Sequence, residues 1–88
     1  MAKLGLAPDA MAKLEAELKR DADTINTLTK KLDSMVKNTW WEGSDATKFK
    51  GSWDGGNRAA LTKIAAELQT TATAVRSNIT QQTQASQG

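Results

Sequence analysis

The chain has no cysteine, no histidine and no tyrosine, and its 88 residues include one proline. Without cysteine there is neither a disulfide nor a thiolate metal site, and the redox compartment is unmarked. Without histidine as well, the usual general base, the commonest metal ligand and the readiest nucleophile are all missing. Long apolar runs are absent too, since no stretch approaches the ~20 residues of a membrane span. The opening "MAKLGLAPDAMAKLEAELKR" has an early lysine but no continuous apolar core and no small-residue cleavage site. A classical signal peptide is therefore not expected, and export would need another route. Charge of one sign is not in excess: 12 basic and 10 acidic residues are interspersed for a net charge of +2. Nucleic-acid binding calls for a clustered basic face, so no nucleic-acid partner is expected. The carboxylates read as solvated helix faces, with no spacing that suggests a metal cage or a pocket that perturbs a pKa. These absences exclude the common enzyme classes, and no cofactor or metal is expected.

What is present is unevenly placed. Every aromatic side chain (Trp40, Trp41, Phe49 and Trp53) lies in "NTWWEGSDATKFKGSW", with 37 residues before it and 35 after. The chain has the length of one small domain, near the size where a single core is only marginally sufficient.

The first segment reads as one amphipathic helix over about 8–38. With Met11 at heptad position a, the a residues are Met11, Leu18, Ile25 and Leu32, and the d residues are Leu14, Asp21, Leu28 and Met35. Lysines, Asp23, Asp33 and other polar residues fill the outer face. Pro8 suits a first helical turn. Glu15/Lys19 and Asp33/Lys37 stand four apart with the acid first, a weakly stabilising order. Asp21 interrupts the seam. Either it is a buried polar group that fixes register, or Ala22 faces the partner helix instead.

Gly43 marks a helix end, and Ser44 followed by Asp45 suits the start of another. A turn over 39–44 is expected, then a second helix over about 45–80. Its seam is Phe49, Trp53, Leu61, Ile64, Leu68, Val75 and Ile79. Gly51, Gly55 and Gly56 weaken its first half by ~1 kcal/mol each relative to alanine. They predict a kink or a close approach, with the helix continuing through. Beyond Leu68 the only charge is Arg76. Fraying is expected near residue 80, with 81–88 mobile.

The fold class is thus all-α, an antiparallel two-helix hairpin as one domain. Such a hairpin buries each helix on one side only, and the stripe on the first helix, widened by Ala10, Ala22 and Val36, suits two neighbours. Pairing into a four-helix-bundle dimer is the economical solution.

Trp41-Glu42-Gly43 at the turn, followed by Ser44-Asp45-Ala46, Phe49 and Trp53 and by a late "NITQQ" tract, resembles the WXG (Trp-X-Gly) family. These are type VII secretion substrates of roughly a hundred residues, similar to the early secretory antigenic target. The resemblance covers length, two-helix layout, central tripeptide, and the lack of cysteine and signal peptide. It implies a hairpin that pairs with itself or a related WXG protein and is exported folded by a membrane ATPase. By the same resemblance Trp41 and Gly43 carry the turn motif and part of the secretion signal. Independently, Trp41 could plug the bundle end and Gly43 could serve only as a positive-φ residue. Trp40 is outside the motif; either tryptophan could face a partner. One departure stands out. The family's C-terminal Tyr-X-X-X-Asp/Glu signal is not in this sequence, so a partner, another tail feature or a stretch beyond this sequence would supply it.

Two other readings share the helices. A membrane-active effector would use the wide apolar face and the tryptophans at a lipid interface, although the outer faces mix acids and bases. A plain coiled-coil scaffold gives no reason for the central aromatic cluster.

Overall fold

The computed structural model describes residues 7–87, and among them the chain is an all-helical antiparallel hairpin with no strand. Helix α1 spans Pro8–Asn38. Pro8 opens it, where a missing N–H is harmless, and the Ala7 carbonyl accepts the Met11 N–H at 2.9 Å. Thr39 leaves in an extended conformation (φ −91°, ψ 127°), with its N–H still bonded to the Met35 carbonyl. Both expected i,i+4 ion pairs form, Lys19–Glu15 at 3.1 Å and Lys37–Asp33 at 2.9 Å.

After the turn, α2 (Ser44–Ser52), a π-helical turn (Trp53–Asn57) and α3 (Arg58–Gln87) follow without a break. The expected continuity through the glycines holds, but by an unexpected device. In the π turn the Arg58 N–H reaches back five residues to the Trp53 carbonyl. The glycines do not admit a close neighbour: a Cβ at Gly51, Gly55 or Gly56 would meet nothing within 4 Å. The helix also extends past the expected end near residue 80. Ile79 is still buried against α1 and Gln82 half-buried, and the helix runs to Gln87. The last residue of the expected mobile tail, Gly88, lies outside the described residues.

The seam between α1 and the second rod differs in phase from the one read in the sequence. It uses Met11, Glu15, Leu18, Ala22, Ile25, Thr29, Asp33 and Val36 on α1, spaced by threes and fours. Against them lie Leu61, Ala65, Leu68, Ala72, Val75 and Ile79. Ala22 is fully buried, so it, and not Asp21, faces the second rod. Its most buried positions include the small residues Ala22, Ala65 and Ala72, and the buried Thr29 hydroxyl is satisfied by the Ile25 carbonyl at 2.6 Å. The shift in phase takes Leu14, Leu28, Leu32 and Ile64 out of the hairpin seam: all four are exposed, as is Met35. Placing position 15 in the seam lets Glu15 meet Arg76, and this takes the next stripe, positions 14, 28 and 35, off the contact.

Two ion pairs fix the register. Arg76 grips the buried Glu15 through Nε at 2.8 Å and Nη2 at 2.6 Å. Arg58 Nη1 lies 3.4 Å from Asp33 Oδ1. Positions 15 and 33 are 18 residues apart, as are 58 and 76. The helices therefore run in step for roughly 27 Å. Glu15 and Asp33 are not the solvated carboxylates that their place on an outer face implied. They are the electrostatic ties of the hairpin.

Candidate functional site

The candidate site is the turn end. Gly43 adopts φ 119°, ψ 178°, a region essentially restricted to glycine, so the tripeptide's glycine is required by the backbone. Its carbonyl accepts both the N–H (3.0 Å) and the hydroxyl (3.1 Å) of Thr47, which anchors the first turn of α2. The expected start is shifted by one residue: Ser44 is the first helical residue and Gly43 takes the cap position, without a side-chain cap. Lys50 reaches back from α2 and donates to the Trp41 carbonyl at 3.0 Å.

The two adjacent tryptophans separate clearly. Trp41 leans on Phe49, with centroids 6.0 Å apart and planes tilted by 43°. Phe49 stacks in turn on Trp53, at 6.3 Å and 14°. Trp53 is buried at 3% exposure, and its indole N–H donates to Asp33 Oδ1 at 2.9 Å. A ladder of rings thus links the turn to the core, with Trp41 as its outer rung at 43% exposure. Trp40 is outside the ladder at 84% exposure, and its indole N–H donates to Glu42 Oε1 at 3.2 Å.

The π turn follows directly on this ladder and absorbs one extra residue. Along the second rod the inward positions are 46, 49, 53, 58, 61 and 65. The step from 53 to 58 is five, where regular packing has three or four. One extra residue is absorbed by the wider turn, so Trp53 and Arg58 both reach the same Asp33 oxygen. The Trp53 hydrogen bond, then Lys37, holds the Asp33 carboxyl below the usual carboxylate range. Arg76, then Lys19, does the same for Glu15. On the outer side of α1 the Glu17 carboxyl is raised, chiefly by a hydrogen bond shared with Asp21.

Chemically, this end presents aromatic surface on a rigid base. Among the described residues no three carboxylates gather to hold a metal ion. The sequence-predicted cluster of Trp41, Phe49 and Trp53 does come together, and Gly43 shapes its turn. Asp33, Arg58 and Arg76 were missed as positioning residues. Arg76 carried a signal, being the sole charge in an otherwise neutral segment, whereas Asp33 looked like any outer-face acid. Comparison with protein-family models, with curated proteins and with solved structures yields no match.

Proposed function

We propose that this protein is a non-catalytic type VII secretion substrate, which pairs with itself or a related WXG protein into a four-helix bundle. It is exported as that folded pair and works through protein contact, as effector, adaptor or co-secreted partner. The observation that carries the reading is the Trp41-Glu42-Gly43 tripeptide, with its glycine-only backbone, sitting between two long antiparallel helices. Trp41 is braced from behind by Phe49 and presents its outer edge, as a recognition handle for the secretion ATPase needs. The exposed stripe of Leu14, Leu28, Leu32 and Met35 supports pairing, because a large apolar face on a small chain marks a protein contact. Residence is cytoplasmic before export and extracellular or surface-bound after it. No described helix is long and apolar enough to cross a membrane.

The test is export in the native host. Trp41→Ala is expected to lower the secreted fraction at least about tenfold, as loss of an aromatic anchor does, with helicity and intracellular level unchanged. Undiminished export of the variant refutes the assignment. The exposed Trp40 also favours a membrane-active reading, and leakage of anionic vesicles at neutral or mildly acidic pH that Trp40→Ala abolishes would support it instead.

A further inference from the structure

Between the end of α1 and the start of α2, residues 39–43 lie outside any helix. The last backbone bond of α1 runs from the Thr39 N–H to Met35, and the next runs from the Thr47 N–H to Gly43. Among the described residues, no backbone group of Trp40, Trp41 or Glu42 bonds to another backbone group. A stretch without such bonds is locally unstable unless side chains hold it. One side chain does. Lys50 Nζ donates to the Trp41 carbonyl at 3.0 Å, across nine residues of sequence.

Lys50 is half-buried on the last turn of α2. It makes no ion pair among the described residues, so its ammonium is directed at the backbone alone. A bond from a charged donor is stronger than a neutral one. The backbone beneath Lys50 is fixed as well. The Trp53 N–H is shared between the Phe49 and Lys50 carbonyls, and Trp53 is buried and tied to Asp33 on α1. Phe49 takes the other end of the same tryptophan, its ring 6.0 Å from that of Trp41. Consecutive residues thus hold Trp41 at two points. A ring contact alone would let the backbone swing, and a carbonyl bond alone would let the ring rotate. Together they fix both. Trp40 has neither hold and is exposed.

We propose that Lys50 is a positioning residue for recognition at the turn end: its bond to the Trp41 carbonyl fixes the direction in which the Trp41 indole leaves the hairpin, so that one preset aromatic edge meets the secretion ATPase. This inference rests on the export reading above and names a residue on which that handle depends. An anchor ordered before contact binds more tightly, because association need not then immobilise it. For one side chain the gain is about two- to tenfold in affinity. Removing Trp41 takes away the anchor itself, whereas removing the Lys50 donor takes away only its preorganisation, so the second effect is the smaller. The rods do not need Lys50 to stay in register. That is fixed by Arg58 and Arg76 against Asp33 and Glu15.

Three variants test the proposal. Lys50→Met keeps an unbranched stem with good helix propensity and removes the donor. Lys50→Arg keeps a donor. Lys48→Met removes the same charge from an exposed position on the same helix. Export in the native host is one readout. The other is the heteronuclear NOE of each tryptophan indole N–H, which reports order on the picosecond to nanosecond scale. In the wild-type chain Trp41 should be nearly as ordered as the buried Trp53 and well above Trp40. In Lys50→Met the Trp41 value should drop toward that of Trp40, with Trp53 and helicity unchanged, and the secreted fraction should fall about two- to tenfold. Lys50→Arg and Lys48→Met should match wild type in both readouts. A Trp41 indole that stays ordered in Lys50→Met overturns the proposal. So does a loss of helicity there, which would make the contact structural, and so does an equal effect of Lys48→Met, which would make it one of net charge. Export lost in Trp41→Ala but kept in Lys50→Met sinks this inference and leaves the export reading standing, whereas export kept in Trp41→Ala sinks that reading and this inference with it.

Discussion

At the scale of single residues, the tryptophans have different duties. Trp53 fills the core beside the π turn and donates to Asp33, while Trp40 is nearly free of contacts. Trp53→Ala removes a buried indole and should cost about 3 to 5 kcal/mol, enough to unfold much of a small domain whose whole stability is of that order. Trp40→Ala should change stability by less than about 0.5 kcal/mol, as surface substitutions usually do. Urea unfolding followed by circular dichroism measures both, and comparable losses at the two positions would contradict the ladder described above. The aromatic cluster was legible in the sequence because four rings in sixteen residues cannot all be scattered over a helix surface. Which of Trp40 and Trp41 packs was not, because both sit in a segment without helical periodicity. Only the reach of Phe49 from α2 selects Trp41.

At the scale of elements, the π turn is a register device. The inward spacing of the second rod is regular on both sides of residues 53–57 and one residue too long within them. Deleting Gly55 turns the five-residue step from Trp53 to Arg58 into the four of ordinary packing, and it removes a glycine with open space around it. The deletion should therefore leave the melting temperature unchanged or raised, by up to about 1 kcal/mol of helix propensity. Deleting Ala66 instead carries Leu68, Ala72 and Val75 out of the seam and should abolish cooperative unfolding. Thermal melts of the two deletions check this, and a Gly55 deletion as damaging as that of Ala66 would show that the extra residue has a positive role. The sequence showed that a helix passes through this region, since Phe49 and Trp53 keep helical spacing. It did not show the π turn, because the glycines that permit it also fit a kink or a close contact.

At the scale of the whole molecule, the hairpin is a rod of 65 × 18 × 13 Å with a radius of gyration of 19.3 Å. A globular chain of this length would have a radius of about 12 Å. A rod this thin has a seam and hardly a core, so cross-rod ion pairs matter more than in a globule. The two lowered carboxylates, Glu15 and Asp33, bind protons less readily folded than unfolded. Their contribution is present above their unfolded-state values and is lost as the pH falls through the lowered ones. The raised Glu17 acts in the opposite sense, but it is exposed and paired only with a surface arginine, so the two inward carboxylates prevail. Stability should therefore decline as the pH drops below about 4.5, the ordinary glutamate value. Arg76→Met should flatten that decline and lower the melting temperature at neutral pH. Melts between neutral pH and strong acid decide this, and an unchanged acid limb in Arg76→Met would remove Glu15 as its cause.

The sequence by itself determined the helices, the end points of α1, the turn at Gly43 and the hairpin. These follow from local chemistry: apolar residues recurring at helical spacing, a proline at a first turn, and a glycine where only glycine is tolerated. The tertiary structure decided which stripe of α1 the second rod takes. A wide apolar stripe offers two nearly equal seams, one through Leu14, Leu28 and Met35 and one through Ala22 and Thr29. Side-chain size alone favours the first. The second is the one taken: it buries Ala22 and brings Glu15 to Arg76. Those partners lie 61 residues apart in the chain, and helical periodicity carries no information over that distance. The leucines left exposed outside the seam are the consequence.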